Sequence, residues 1–285
     1  MTLVVGEISY TNILPLYYYL DRNKLSKIGL SFVPKIPAKL NKDMSEGTVD
    51  LGGISSFAYG EHASEYTLLP NLSVSSYRDV GSIFLFSKYP LEQLEGKRVA
   101  LTSSSATSIN LLRIIIKRFV QIDVQYEVVT PNFQHMMSSY DGCLLIGDDA
   151  ITTSWAVGKE YYRYDLGELW YKYTGYPMTF AVLAVRNEVV KSKSEILEEL
   201  YEQFLFSKRK SQEDSFLPMI ADIRKTIGGT TEYWSHYFQG LSYDFDEKQK
   251  EGLLYYYKLA YEQGLLSNKV ERILLWNEFF RYHTI

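Results

Sequence analysis

A single cysteine, Cys143, rules out an internal disulfide, and with so few thiols a structural zinc site lacks ligands. It lies in Cys143-Leu144-Leu145-Ile146, which reads as a buried strand, so a small core residue is expected. An excess of one charge is also missing. Thirty Lys and Arg against 34 Asp and Glu leave a net charge of −4 with no basic stripe, which argues against nucleic acid and anionic membrane as partners. No apolar run approaches the ~20 residues needed to span a bilayer. Met1 leads into Leu3-Val4-Val5-Gly6 with neither a basic segment nor a small-residue cleavage site, which predicts a cytoplasmic protein. There is no G-x-G-x-x-G, P-loop, G-x-S-x-G elbow or H-E-x-x-H, so no dinucleotide, nucleotide, serine-hydrolase or zinc-protease site is signalled. His62, His135, His236 and His283 are scattered, and Asp50, Asp148, Asp149 and Asp165 show no spacing that marks an acid/base pair. Neither a cofactor nor a metal is expected.

What the chain does have is alternation. Leu3–Ile8, Leu30–Pro34 and Val49–Ile54 read as strands, separated by helical stretches at Asn12–Asp21 and Ala38–Glu46 and followed by one at Ser55–Ser64. Tyr66–Ser76 and Gly81–Ser87 are extended. A second block repeats the logic: strands at Arg98–Leu101, Val124–Val129 and Gly142–Ile146, helices at Ala106–Val120, Asn132–Ser139 and Asp149–Lys159. This pattern predicts an α/β fold with parallel sheets covered on both faces. After Arg186 the chain reads as helix. Expected are a Ser192/Glu195 capping box, helices from about Ser211 to Ile227 and from Asp246 to Gly264, and a last one from about Lys269 carrying Ile273, Leu274 and Phe280. Ser87–Gly96 and Thr174–Ala184 read as crossovers. They predict two lobes: 1–88 with 182–285, and an inserted 89–181, with a ligand cleft between them. The 25 tyrosines fit core packing, or an exposed face in a possible homodimer.

The richest local signal is Ser103-Ser104-Ser105-Ala106-Thr107-Ser108, a hydroxyl-rich turn between a strand and a helix. A helix start offers unpaired N–H groups and the positive end of the dipole, which suits a carboxylate. In open α/β sheets ligands sit beyond the carboxyl ends of strands. The other residues at such ends are Ser9, Tyr10, Thr11 and Asn12, then Ser55 and Ser56, Ser82 beside Gly81, and Gly147, Asp148 and Asp149, with Thr174 and Gly175 on the return crossover. Taken singly, Asn12 and Ser55 are ordinary helix caps. Together these neutral hydroxyls, one amide and helix starts suit a small organic anion.

At these same residues the sequence resembles a known family. Ser9-Tyr10-Thr11-Asn12 with Pro15, Asp50 through Ser56, Gly81 through Ser87, Leu101 through Ser108, Ile146 through Ala150, and Tyr164 through Gly167 with Trp170, Thr174-Gly175, Pro177, Phe180-Ala181 and Arg186 are similar, in order, to chorismate dehydratases. Thr11 departs from the family, which more often carries an apolar residue there. The resemblance implies a two-lobed periplasmic-binding-protein-like type II fold. It also implies dehydration of chorismate to 3-[(1-carboxyvinyl)oxy]benzoate in the futalosine route to menaquinone, without cofactor or metal. On that reading the lobes hold a dianion between Ser55, Ser56 and Ser82 on one side and Ser104, Ser105, Thr107 and Ser108 on the other. Ser9, Tyr10, Thr174 and Gly175 contribute further contacts. Asn12 positions the departing hydroxyl, and the base is either Asp148 or the substrate's own enolpyruvyl carboxylate. The competing expectations are 1,4-dihydroxy-6-naphthoate synthase of the same route, a non-catalytic small-anion binding protein, and the effector half of a transcription regulator.

Overall fold

A computed structural model describes residues 2–279. Its strands are β1 (Leu3–Ile8), β2 (Leu30–Lys35), β3 (Leu51–Ser55), β4 (Tyr66–Ser76), β5 (Ile83–Ser87), β6 (Arg98–Thr102), β7 (Gln125–Val129), β8 (Gly142–Ile146), β9 (Tyr162–Asp165), β10 (Met178–Arg186) and β11 (Leu241–Ser242). They form two sheets. The first has the order β11-β4-β10-β3-β1-β2, the second β7-β6-β8-β5-β9. β1, β2 and β3 run parallel, as do β6, β7 and β8, with helices between them.

The sheets are mixed rather than purely parallel. β10 runs antiparallel to both β3 and β4, and β5 runs antiparallel to β8 and β9. A chain that leaves one sheet for the other re-enters from the opposite end, so the strands at the crossings reverse. The crossings also move. β5, expected in the first lobe, pairs its apolar Phe84-Leu85-Phe86 with Cys143-Leu144-Leu145 of the second sheet. β10, expected to straddle the lobe boundary after residue 181, lies wholly inside the first sheet. The Ser87–Gly96 stretch expected as a crossover contains a one-turn 3-10 segment, Leu91–Leu94, ahead of β6.

The segment after β1 packs closely on β3. A Cβ at Gly53 in β3 would lie 2.4 Å from Ile13 Cδ1, so a larger residue there would push the end of the Ile13 side chain aside. The Thr11–Ile13 turn and the short helix Leu14–Tyr17 replace the single helix expected from Asn12 to Asp21. The helix Ala106–Ile114 continues as a wide π-type turn, Ile115–Val120, ending at left-handed Gln121.

In the C-terminal third, Ser194–Glu213, Leu217–Thr226, Thr231–Gly240 and Glu247–Glu262 are helices. Asp246 forms a capping box with Gln249, but no side chain caps the Ser194 helix, so the Ser192/Glu195 box does not form. Residues 269–275 are not helical. Leu68 donates its N–H to Leu274 O and bridges to Leu275, so this stretch runs beside β4 instead, held by a strand-like contact that helical spacing does not encode. Phe280 lies outside the described residues. Eight of the described tyrosines are buried in the core, and Tyr17, Tyr59, Tyr66, Tyr243, Tyr256 and Tyr257 among them are all but fully buried. Cys143 is buried and free. Among the described residues no helix is long and apolar enough to cross a membrane.

Candidate functional site

The two sheets meet at a narrow cleft with a cavity volume of about 50 Å³. The ends of strands build it. Ile8 ends β1, Ile83 begins β5, and Ile146 ends β8 directly opposite Ile83. With Ile13 and Phe180 these side chains make an apolar wall suited to a ring. The polar lining comes from Tyr10, Asn12, Ser55, Ser104, Ser105 and Ser108. No side chain among the described lining residues carries a formal charge, and the described residues contain no cluster of three or more His, Cys, Asp or Glu able to hold a metal.

Each polar group is held differently. Ser105 caps the helix Ala106–Ile114: its Oγ accepts the Ser108 N–H over 3.2 Å and donates to Ser108 Oγ over 3.0 Å. The Ala106 and Thr107 amides, also in that first turn, have no acceptor among the described residues and lie beside cleft-lining Ser105. Ser55 caps the helix Ser56–Glu61 through the Ala58 N–H, and Asn41 brackets it with two hydrogen bonds of 3.3 Å. Asn12 is partly exposed, and its side-chain amide makes no hydrogen bond to any described residue. The ring of Tyr10 packs over Gly147, where a Cβ would lie 3.3 Å away. Burial raises the pKa of the Tyr10 phenol, so it stays protonated, facing Ser104.

Other expected site residues lie elsewhere. Ser56 is fully buried and donates to Thr179 O. Ser82 is fully buried and donates to Val80 O over 3.4 Å, while its carbonyl takes the Gly147 N–H. Thr107, also buried, accepts the Phe57 N–H and donates to Phe180 O, joining a helix start in each lobe. Thr174 and Gly175 end a helix. The threonine hydroxyl donates to Trp170 O, and the glycine takes the left-handed conformation at φ 73°. Ser9 is exposed and outside the cleft. Asp148, next to cleft-lining Gly147 but not itself in the lining, accepts from Thr11 Oγ1 over 2.6 Å, and burial raises its carboxyl above the usual range. Asp165 accepts backbone N–H groups from Val80, Gly81, Gly167 and Glu168, pinning a crossover to the start of the next helix. Asp50 takes the Val4 N–H and pairs with Lys193. The apolar wall and the Asn41 bracket escaped the sequence reading, which applied the strand-end rule to polar residues alone.

Residues 3–262 match the menaquinone biosynthesis family. The chorismate dehydratase of Thermus thermophilus is 32% identical over 266 residues, covering 88% of this chain and 92% of that protein. The 1,4-dihydroxy-6-naphthoate synthase of the same organism is 24% identical over 237 residues, 80% of this chain and 82% of that one. Among solved structures, the periplasmic aliphatic sulphonate binding protein SsuA of Escherichia coli superposes with a TM-score of 0.67 at 16% identity, over 95% of this chain and 91% of that chain, so the fold is shared.

Proposed function

The chain belongs to the menaquinone biosynthesis family, and on that premise we propose that it is a chorismate dehydratase, forming 3-[(1-carboxyvinyl)oxy]benzoate and water. The observation that carries this reading is an uncharged cleft that joins an apolar wall to unpaired hydrogen-bond donors. Chorismate is a dianion built on a flat ring. The isoleucines and Phe180 receive the ring. The free amides and hydroxyls at the start of the Ala106–Ile114 helix receive a carboxylate, aided by the helix dipole.

The elimination removes a proton from the ring carbon that bears the ether and hydroxide from its neighbour. The ring becomes aromatic, so much of the driving force lies in the substrate. The protein's part is orientation and hydrogen bonding to the leaving oxygen. Asn12, an amide that lines the cleft with no hydrogen-bond partner among the described residues, serves the departing hydroxyl. None of the described lining residues is a carboxylate or an imidazole, and the protonated Tyr10 phenol is no base. The proton therefore goes to the substrate's enolpyruvyl carboxylate. The futalosine route and a cytoplasmic location belong to the same reading, and a lone buried thiol suits a reducing compartment.

The test is purified protein with chorismate, without added metal or nucleotide. Diene absorbance should fall as the benzoate appears on chromatography, and an unchanged substrate peak would refute the reading. A substrate panel separates it from the naphthoate synthase.

A further inference from the structure

The turn that presents Asn12 is weakly held by its own residues. Thr11–Ile13 has no side-chain cap, and its backbone closure, Ile13 N–H to Tyr10 O, spans 3.4 Å. Its side-chain anchor reaches into the other lobe. Thr11, 2% exposed, donates from Oγ1 to Asp148 Oδ1 over 2.6 Å. Asp148 is the second residue of the helix Gly147–Ala156, which follows β8 of the second sheet. Gly147 lines the cleft and Asp148 does not. The buried phenol of Tyr237 lies near both residues.

We infer that Asp148 is a positioning residue and not the proton acceptor: it anchors the Thr11 hydroxyl from the opposite lobe and so fixes where the Asn12 amide meets the departing hydroxyl. Three observations support this. The carboxylate is not among the cleft-lining groups, one of its oxygens is occupied by Thr11, and its charge lies in the first turn of a helix, where the dipole favours it. The inference rests on the dehydratase reading. A displacement of about 1 Å in a group that serves the reacting centre lowers turnover by up to about a hundredfold while leaving ground-state binding nearly untouched.

Three variants test it, each with chorismate kinetics and a melting temperature. Thr11→Val keeps the shape and removes the donor. Its kcat should fall about tenfold or more while KM stays within about twofold. Thr11→Ser restores the donor and should recover most of the turnover. Asp148→Asn keeps an acceptor oxygen and removes basicity, so kcat should stay within about threefold of the parent. A loss of about a thousandfold in Asp148→Asn with KM unchanged would make Asp148 the proton acceptor and overturn the inference. So would a Thr11→Val protein with the parent's kcat. If the parent chain itself leaves chorismate unchanged, the dehydratase reading fails and the inference falls with it.

Discussion

Replacing Thr107 by Val tests whether this hydroxyl belongs to the fold or to the ligand. The two side chains have nearly the same shape, and the site is fully buried, so the change deletes a hydroxyl and little else. That hydroxyl accepts the Phe57 N–H at 3.0 Å and donates to Phe180 O at 3.2 Å. Phe57 is in the first turn of its helix, where no intrahelical carbonyl is available to take its place. Phe180 falls at a register shift between β4 and β10. A buried polar group left unpaired costs about 1–3 kcal/mol, and the carbonyl keeps a second lone pair, so the pair should cost about 2–4 kcal/mol. For a chain of 285 residues, an unfolding entropy of about 2.1 cal/mol/K per residue turns 3 kcal/mol into a fall of about 5 °C in Tm. Scanning calorimetry reads this directly, and Thr107→Ser should recover most of it. KM for chorismate should stay within about twofold, since the hydroxyl is turned away from the cleft. A Tm shift under about 1 °C, or an unchanged Tm with KM raised more than about tenfold, would refute the assignment of Thr107 to the interlobe contact.

Asn12→Ala should lower kcat by about a hundredfold or more with Tm unchanged, read from product on chromatography, and full turnover would remove Asn12 from the reaction. Ser105→Ala removes the Ser108 cap, so it should cost about 1 kcal/mol of stability and raise KM; an unchanged KM would take the carboxylate away from this helix start. Gly147→Ala forces an L-residue to φ 59° with its Cβ 3.3 Å from the Tyr10 ring; about 1–2 kcal/mol of destabilisation in chemical denaturation should follow. Burial, against four backbone donors, raises the pKa of Asp165 to about 6. Its unfolded value is near 3.9, so the folded state binds more protons between those limits. The stability this group contributes is present at low pH and is lost as pH rises toward 6. Carbon-detected NMR of the carboxyl should show a midpoint near 6, and a midpoint below 4 would contradict it.

Much of the framework was legible because apolar strand runs alternate with capped helices. Ser55, read as a helix cap, accepts the Ala58 N–H its position predicts, whereas Asn12, read the same way, caps no helix. Thr231–Gly240 escaped the reading although Trp234, Tyr237 and Phe238 recur at i, i+3 and i+4, with Glu232, Ser235, His236 and Gln239 on the opposite face. β9 is four residues long and mostly polar, below what period-two patterning resolves. At the candidate site, strand ends led to the cleft but not to all the side chains that line it. Ser55 and Ser56 are chemically identical neighbours, yet Ser55, the end of β3, lines the cleft while Ser56, the first residue of the following helix, is buried and reaches Thr179 O. Ser82 and Thr107 are likewise fully buried. Asp148 offered a carboxylate to the sequence, and only its distance from Thr11 tells what that carboxylate does.

The place of β10 between β3 and β4 constrains how the ribosome can deliver this protein. The two N-terminal halves of the first sheet touch through a strand whose last residue is Arg186, so they have no ladder to share until nearly two thirds of the message has been read. By then every strand of the second sheet has been synthesised. Nascent chains of this shape mature from the middle outward, and their early glycine-rich edge at Leu51–Ser55 waits unpaired on one side for a partner made about 130 residues later.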